Sequence, residues 1–403
     1  MPLSAASTRG LIVRVEAVEG LQPAVLRWAR ESIGMSVEDV ALKLKRPPED
    51  IRAWESPGGA APSYVQLETL AYKILKRPLA VFFLPEPPQE VPPRREFRTL
   101  PDAELQALHA DTHMQVRRAH AFQLTLRELF DVGNPAERQR LLQARLDSAG
   151  SVVNQAAVVR EVLGVLLHDQ ITWRSDAVAL KRWREAVEGL GVFVFKAPFK
   201  QKEISGFCLP ADDFPLIYLN NSTTKTRQTF SLMHELVHLL LKVAGISKFD
   251  TGYIRRLPAS AQRVEVFCNQ MAAEMLMPSD DFAAQAKALP DNVESLPDHV
   301  FADLGNRYGV SREAVLRRFL QLGRVGQAFY EAKAKFWAGQ KQAGSGGDWY
   351  ASQNTYLSER LAREVVSRHY RNQISVEQAS EYLGIKARNF AGLEQRILQG
   401  AAA

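Results

Sequence analysis

Apolar residues recur at helical spacing over most of the 403-residue chain, and strand-like runs are confined to its middle. The first helical zone spans 23–84. Pro23 stands at a first-turn position ahead of PAVLRWARESIG, and Gly34 marks the end of that segment. Ser36, followed three residues on by Asp39, predicts a capping box before SVEDVALKLK; PPEDIRAWE and SYVQLETLAYKIL complete the zone. PEPPQEVPPRR (85–95) reads as an extended linker. From about 100 to 165 the periodicity is again helical, and an amphipathic helix is predicted between 177 and 190. Three strands follow, VFVF (192–195), ISGFCLP (204–210) and PLIYLN (215–220). Then come a helix over SLMHELVHLLL, a loop to about 260, and a helix AQRVEVFCNQMAAEMLMP halted by Pro278. Helices at 301–323 and from about 355 to 398 flank a flexible QKQAGSGGDW stretch (340–349). The pattern is that of an α+β, mainly helical protein with one small three-stranded sheet.

Length and composition refine this picture without redirecting it. At 403 residues, 46% hydrophobic and 24% charged, the chain is expected to form several globular domains. No apolar run approaches the roughly 20 residues needed to span a bilayer, and the first residues show no secretory signal pattern. With only Cys208 and Cys268, a disulfide framework is not expected and a reducing cytoplasm is. A net charge of +6 permits contact with nucleic acid without requiring it.

The chemistry concentrates in Ser231–Leu241, SLMHELVHLLL, where three ionisable groups sit among apolar neighbours. Residues four apart share a helix face, so His234 and His238 can offer imidazole nitrogens to one ion. Glu235 lies beside that face, within reach of a water to be activated. Two core histidines hydrogen-bonded to carbonyls are the plain alternative; the i,i+4 pair with an intervening glutamate favours a metal. A catalytic zinc needs a third protein ligand and one open position. Glu265, Cys268 and Glu274 all lie on the next helix, and spacing alone leaves the three as rivals.

ISGFCLP, PLIYLNNS, FSLMHELVHLLL and EVFCNQMAAEMLMP, in that order, resemble the ImmA/IrrE metallopeptidase family over roughly 165–325. The resemblance implies a zincin-like core in which Glu265 is the third ligand of a Zn2+ ion, followed by Cys268 and Asn269. It also implies an endopeptidase acting on a transcriptional repressor or antitoxin-like regulator. Glu235 would be the general base, and Tyr253, in the loop between the two ligand helices, a candidate donor to the oxyanion. A different class of function competes with this one: a transcription regulator or antitoxin-like partner whose metal site is structural, closed by Cys268.

SVEDVALKLKRPPEDIRAWES resembles the helix-turn-helix of phage-repressor-like (XRE family) regulators. That resemblance implies a second helix presenting Glu49, Asp50 and Arg52 to DNA, an outward set that is not strongly basic. Docking to a protein partner, a homodimer included, is the alternative. The expected organisation is a helix-turn-helix domain (20–88), a helical linker region (89–165), a metallopeptidase domain (166–330) and a helical accessory region (331–403). Arg317 and Arg318 read as a solvated helix face, as do His109, His113 and His120.

Overall fold

The computed structural model describes residues 17–90, 97, 99–130, 133–134, 146–248, 251–340 and 356–401. Residues 91–95 of the proline-rich linker and 341–349 of the glycine-rich stretch lie outside them. The described residues form two compact units, one of 17–90 with 106–114, the other of 97–105 and 115 onward.

In the first unit, α1 (Pro23–Glu31) begins on its proline. α2 (Val37–Leu44) starts from the capping box read in the sequence: Asp39 N donates to the Ser36 hydroxyl, and Ser36 N donates to the Asp39 carboxylate at 2.8 Å. α3 (Pro48–Trp54) and α2 bury Val40, Ala41, Ile51 and Trp54 in one core. α4 (Tyr64–Glu68), capped by Ser63 and Gln66, continues in wider π-type turns to Leu75. Arg30 forks onto both Glu55 carboxylate oxygens, each at 2.7 Å, and pins α1 to the end of α3.

The second unit contains α5 (Ala110–Leu129, from Gln115 on), α6 (Val152–Leu163), α7 (Asp176–Gly189), β1 (Phe193–Ala197), β2 (Ile204–Leu209), β3 (Leu216–Asn220), α8 (Lys225–Leu240), β4 (Gly245–Lys248) and α9 (Ala259–Leu276). After these come α10 (Ser279–Lys287), α11 (Asp298–Tyr308), α12 (Arg312–Gln321), α13 (Gln327–Ala338), α14 (Glu359–Tyr370), α15 (Val376–Tyr382) and α16 (Phe390–Ala401). The sheet runs β1-β3-β2-β4, with β1 parallel to β3 and β2 antiparallel to both of its neighbours. It therefore has four strands, not the three expected. The missed strand, Gly-Ile-Ser-Lys, has one apolar side chain and is too short for alternation to register. It holds its place by pairing with buried β2 and through Thr99, whose hydroxyl donates to Ile246 O (3.0 Å) and accepts from Ile246 N (2.9 Å).

Every residue of β1, β2 and β3 is buried, because both sheet faces are covered, and so these strands read as apolar runs rather than alternating ones. On one face Phe122 of α5 stacks on Phe195 at 4.2 Å between centroids, and Phe207 stacks on Tyr218 at 5.2 Å. The other face packs on α8 and α9 through Cys208, Ile217, Leu232, Leu236, Met271 and Met275. The segment from Glu359 onward belongs to this same unit, where Arg360 lies over the Phe193 ring and the Tyr382 hydroxyl donates to Glu128 at 2.8 Å.

The end of α9 is held by a buried polar network. Gln170 Nε2 donates to the carbonyls of Leu276 (2.8 Å) and Tyr308 (2.9 Å), and its Oε1 accepts from Arg160, which also donates to Met275 O. Gln170→Ala leaves these partners unsatisfied in a dry environment and is expected to cost about 2–4 kcal/mol. Urea unfolding checks this; an unchanged midpoint would remove the network from the account of stability.

Candidate metal centre

α8 starts at Thr224, whose hydroxyl accepts from Arg227 N at 3.2 Å, and its apolar residues bury it almost from end to end. That burial carries His234, Glu235 and His238 into the interior, 4%, 0% and 0% exposed. The two Nε2 atoms face each other at 3.1 Å. From α9, packed alongside, Glu265 brings Oε1 to 3.2 Å from His238 Nε2 and Oε2 to 3.5 Å from His234 Nε2. One ligand atom from each of the three lies within 4.8 Å of the others, the one such group among the described residues.

Hydrogen bonding alone does not account for this centre. Both histidine Nδ1 atoms, Glu265 Oε1 and both Glu235 oxygens are buried without a hydrogen-bond partner among the described residues. Two imidazoles and a carboxylate are the donor set of catalytic zinc sites, and a dication among them compensates charge that is otherwise costly to bury. The residues present therefore fit a divalent metal.

Glu265 is the rival the geometry brings to the histidines. Glu274 instead accepts from Ser279 N (2.7 Å), from the Ser279 hydroxyl (2.6 Å) and from Arg318 (2.5 Å), tying α9 to α10 and α12. Cys268 is buried against His238 but stands outside the three-ligand group. Arg318 corrects the expectation of a solvated pair: its side chain is 13% exposed and braces Glu274 and Met277 O, whereas Arg317 stays half-exposed beside Glu313. His113 is likewise buried rather than solvent-facing.

Burial raises the Glu235 carboxyl above the ordinary range, against the pull of His238 and His234. Burial acts the same way on Glu265, but the two histidines outweigh it and hold that carboxyl well below the usual range. The Ser247 hydroxyl of β4 lies beside Glu235, near enough to favour its charged form, without closing a hydrogen bond. Nothing in the sequence pattern pointed to Ser247, because its strand was read as loop. Tyr253 donates its hydroxyl to Glu265 Oε2 at 2.8 Å. Its proton is thus directed at the Glu265 carboxylate. Burial, and then Glu265, pushes this phenol far up, so it remains a donor.

Gly245 opens β4 against the face of the His238 ring, where an added Cβ would lie 3.0 Å from Cδ2 and 3.1 Å from Cγ. Gly245→Ala must therefore turn the ring, and metal affinity is expected to fall about 10–100-fold, the range seen when a ligand's support is disturbed. Competition with a chelating dye measures this; unchanged affinity would mean that the ring does not depend on that contact.

His234 reaches a groove of about 460 Å³, bounded by Phe230 of α8, Lys248 of β4, Tyr253, Asn269 of α9 and Glu313 of α12. A buried His–His–carboxylate group with a free glutamate next to it, opening on a groove, is the pattern of metal-dependent hydrolases. Residues 187–320 match the peptidase M78 family model, described as the IrrE N-terminal-like domain, and over that stretch the chain is similar to metallopeptidases of the ImmA/IrrE type. No curated protein matches the chain.

In the first unit, Glu49, Asp50 and Arg52 lie on α3 at its solvent side. Arg52 is engaged by Glu38 (2.5 Å) and Glu49 (3.5 Å), and Asp50 by Arg46 (3.5 Å), so the charges on the surface expected to face DNA are ion-paired and their sum is slightly negative. Among the described residues no helix is long and apolar enough to cross a membrane.

Proposed function

We propose that the chain is a cytoplasmic zinc-dependent endopeptidase that cleaves a regulatory protein, a transcriptional repressor or an antitoxin-like regulator. The observation that carries this reading is the meeting of His234, His238 and Glu265 with the unpartnered Glu235 carboxyl beside them. A divalent cation held by the first three would supply Lewis acidity toward the scissile carbonyl. Glu235 takes a proton from the attacking water and returns it to the departing amine, a role that suits a carboxyl already raised by burial. Tyr253 fixes the orientation of Glu265. The groove beside His234 receives the extended substrate segment.

Substrate could add to PLIYLN, the strand before the histidine helix, only along a free edge. β3 is an inner strand, hydrogen-bonded to β1 on one side and β2 on the other, so that idea fails. The competing class, a regulator with a closed structural metal, requires a fourth protein ligand; the place of Cys268 outside the group supports the peptidase instead. For 20–88 we infer a docking module for a partner protein, since Arg52 and Asp50 of α3 are paired with Glu38, Glu49 and Arg46 rather than offered to phosphates.

The test is incubation of the full-length zinc-loaded protein with repressor-type proteins encoded beside its gene. Discrete fragments that vanish on chelation are expected. Failure to take up any divalent ion on titration would end the proposal.

A further inference from the structure

A second cavity, of about 300 Å³, opens in the same unit away from the ligand triad. Its walls come from α7, β1, the first residue of α8, α14 and α16. Its charges are one-sided: Lys181, Arg184, Lys196, Lys225 and Arg363 face it with the single carboxylate of Glu359. Three of these cations are already engaged. Arg184 donates to the carbonyls of Val194 and Leu357 and pairs with Glu188 at 3.5 Å, Arg363 pairs with Glu359 at 3.2 Å, and Lys181 lies 3.8 Å from Glu185. Lys225 and Lys196 have no ion-pair or hydrogen-bond partner among the described residues.

Lys196 is the unusual member. It sits in β1, is 5% exposed, and lines the cavity with its amine in no hydrogen bond or ion pair among the described residues, Glu188 and Glu359 acting on it only from farther off. An ammonium placed this deep is expensive unless paired, so an anion in the cavity is what would stabilise its charged form. Lys225 adds a second ammonium at the N-terminal, electropositive end of the 16-residue helix α8. The rest of the lining, Ala177, Leu180, Ala362 and Ile397, is apolar and suits the organic part of a small ligand.

We propose that this cavity binds a phosphomonoester, its phosphate held by Lys196 and Lys225 and its organic part against the apolar wall. The site is independent of the peptidase reading: a chain unable to hydrolyse anything would still bind the anion.

Isothermal titration of the full-length protein with inorganic phosphate and with adenosine monophosphate, at ionic strength matched by chloride, tests it. Saturable binding of both probes is expected, the monophosphate being the tighter because its organic part lies against the apolar wall; a monophosphate no tighter than inorganic phosphate overturns the assignment of a phosphomonoester. Lys196→Met should weaken that binding about tenfold or more, the effect of losing one charge-assisted contact. Lys196→Arg should keep most of it, and Lys386→Met, at an exposed position, should bind as the wild type does. No saturable heat with either probe at millimolar concentration overturns the proposal. So does equal binding by the wild type and Lys196→Met, or an equal loss in Lys386→Met.

Discussion

Glu235→Gln is expected to reduce peptide cleavage about 10²–10⁴-fold, the usual contribution of a positioned general base, while metal content stays at the wild-type level. The separation follows from the geometry. His234, His238 and Glu265 form the group that could hold a metal ion without Glu235, whose two oxygens have no hydrogen-bond partner among the described residues. Gln matches Glu in shape, so packing along α8 is kept. The folded protein should not be destabilised, since the change removes an ionisable group that burial already disfavours in its charged form. Turnover of a cleaved substrate and elemental analysis of the same preparation give the two halves of the result. A variant cutting at the wild-type rate would remove Glu235 from the chemistry, and one that also lost its metal would make Glu235 part of the ligand set.

The second large effect concerns Lys196 and pH. Burial, and then Arg184, lowers this amine to about 7; Glu188 and Glu359 oppose the shift, and Lys225 adds to it. Lys181 and Arg363 complete the charged groups facing the same cavity. In the unfolded chain the amine titrates near its ordinary 10.5. Below about 7 both states hold the proton and the folded protein bears the full cost of a buried ammonium. Between about 7 and 10.5 the unfolded state binds more protons than the folded one, so stability rises with pH, by up to about 1.4 kcal/mol per unit. Lys196→Met lacks that slope and should be the more stable protein at pH 6.5, with the gap closing toward pH 9.5. Denaturant unfolding of both proteins across that range, without phosphate, measures the difference. Parallel curves would show that Lys196 titrates as an ordinary lysine.

The parts of the centre legible in the sequence were those fixed by local spacing. His234 and His238 needed only the helical repeat, just as, in the first unit, the Ser36 and Asp39 box needed only a three-residue spacing. Glu265 was not separable from Glu274 by periodicity, since both lie buried on α9. What distinguishes them is where distant groups stand: the histidines of α8 for one, Ser279 and Arg318 for the other. Lys196 went unnoticed for the same reason. The strand was read as ending at Phe195, and the cavity that gives the amine its meaning is assembled from elements as far along the chain as Ile397.

A single hydroxyl, that of Thr99, answers both main-chain groups that Ile246 turns away from β2. At that point the outermost strand has no vacancy to offer a neighbouring molecule. An unanswered strand margin is where strands of separate chains pair edge to edge into fibres, so Thr99→Ala is a change whose cost would be read in solubility during long storage more than in melting temperature.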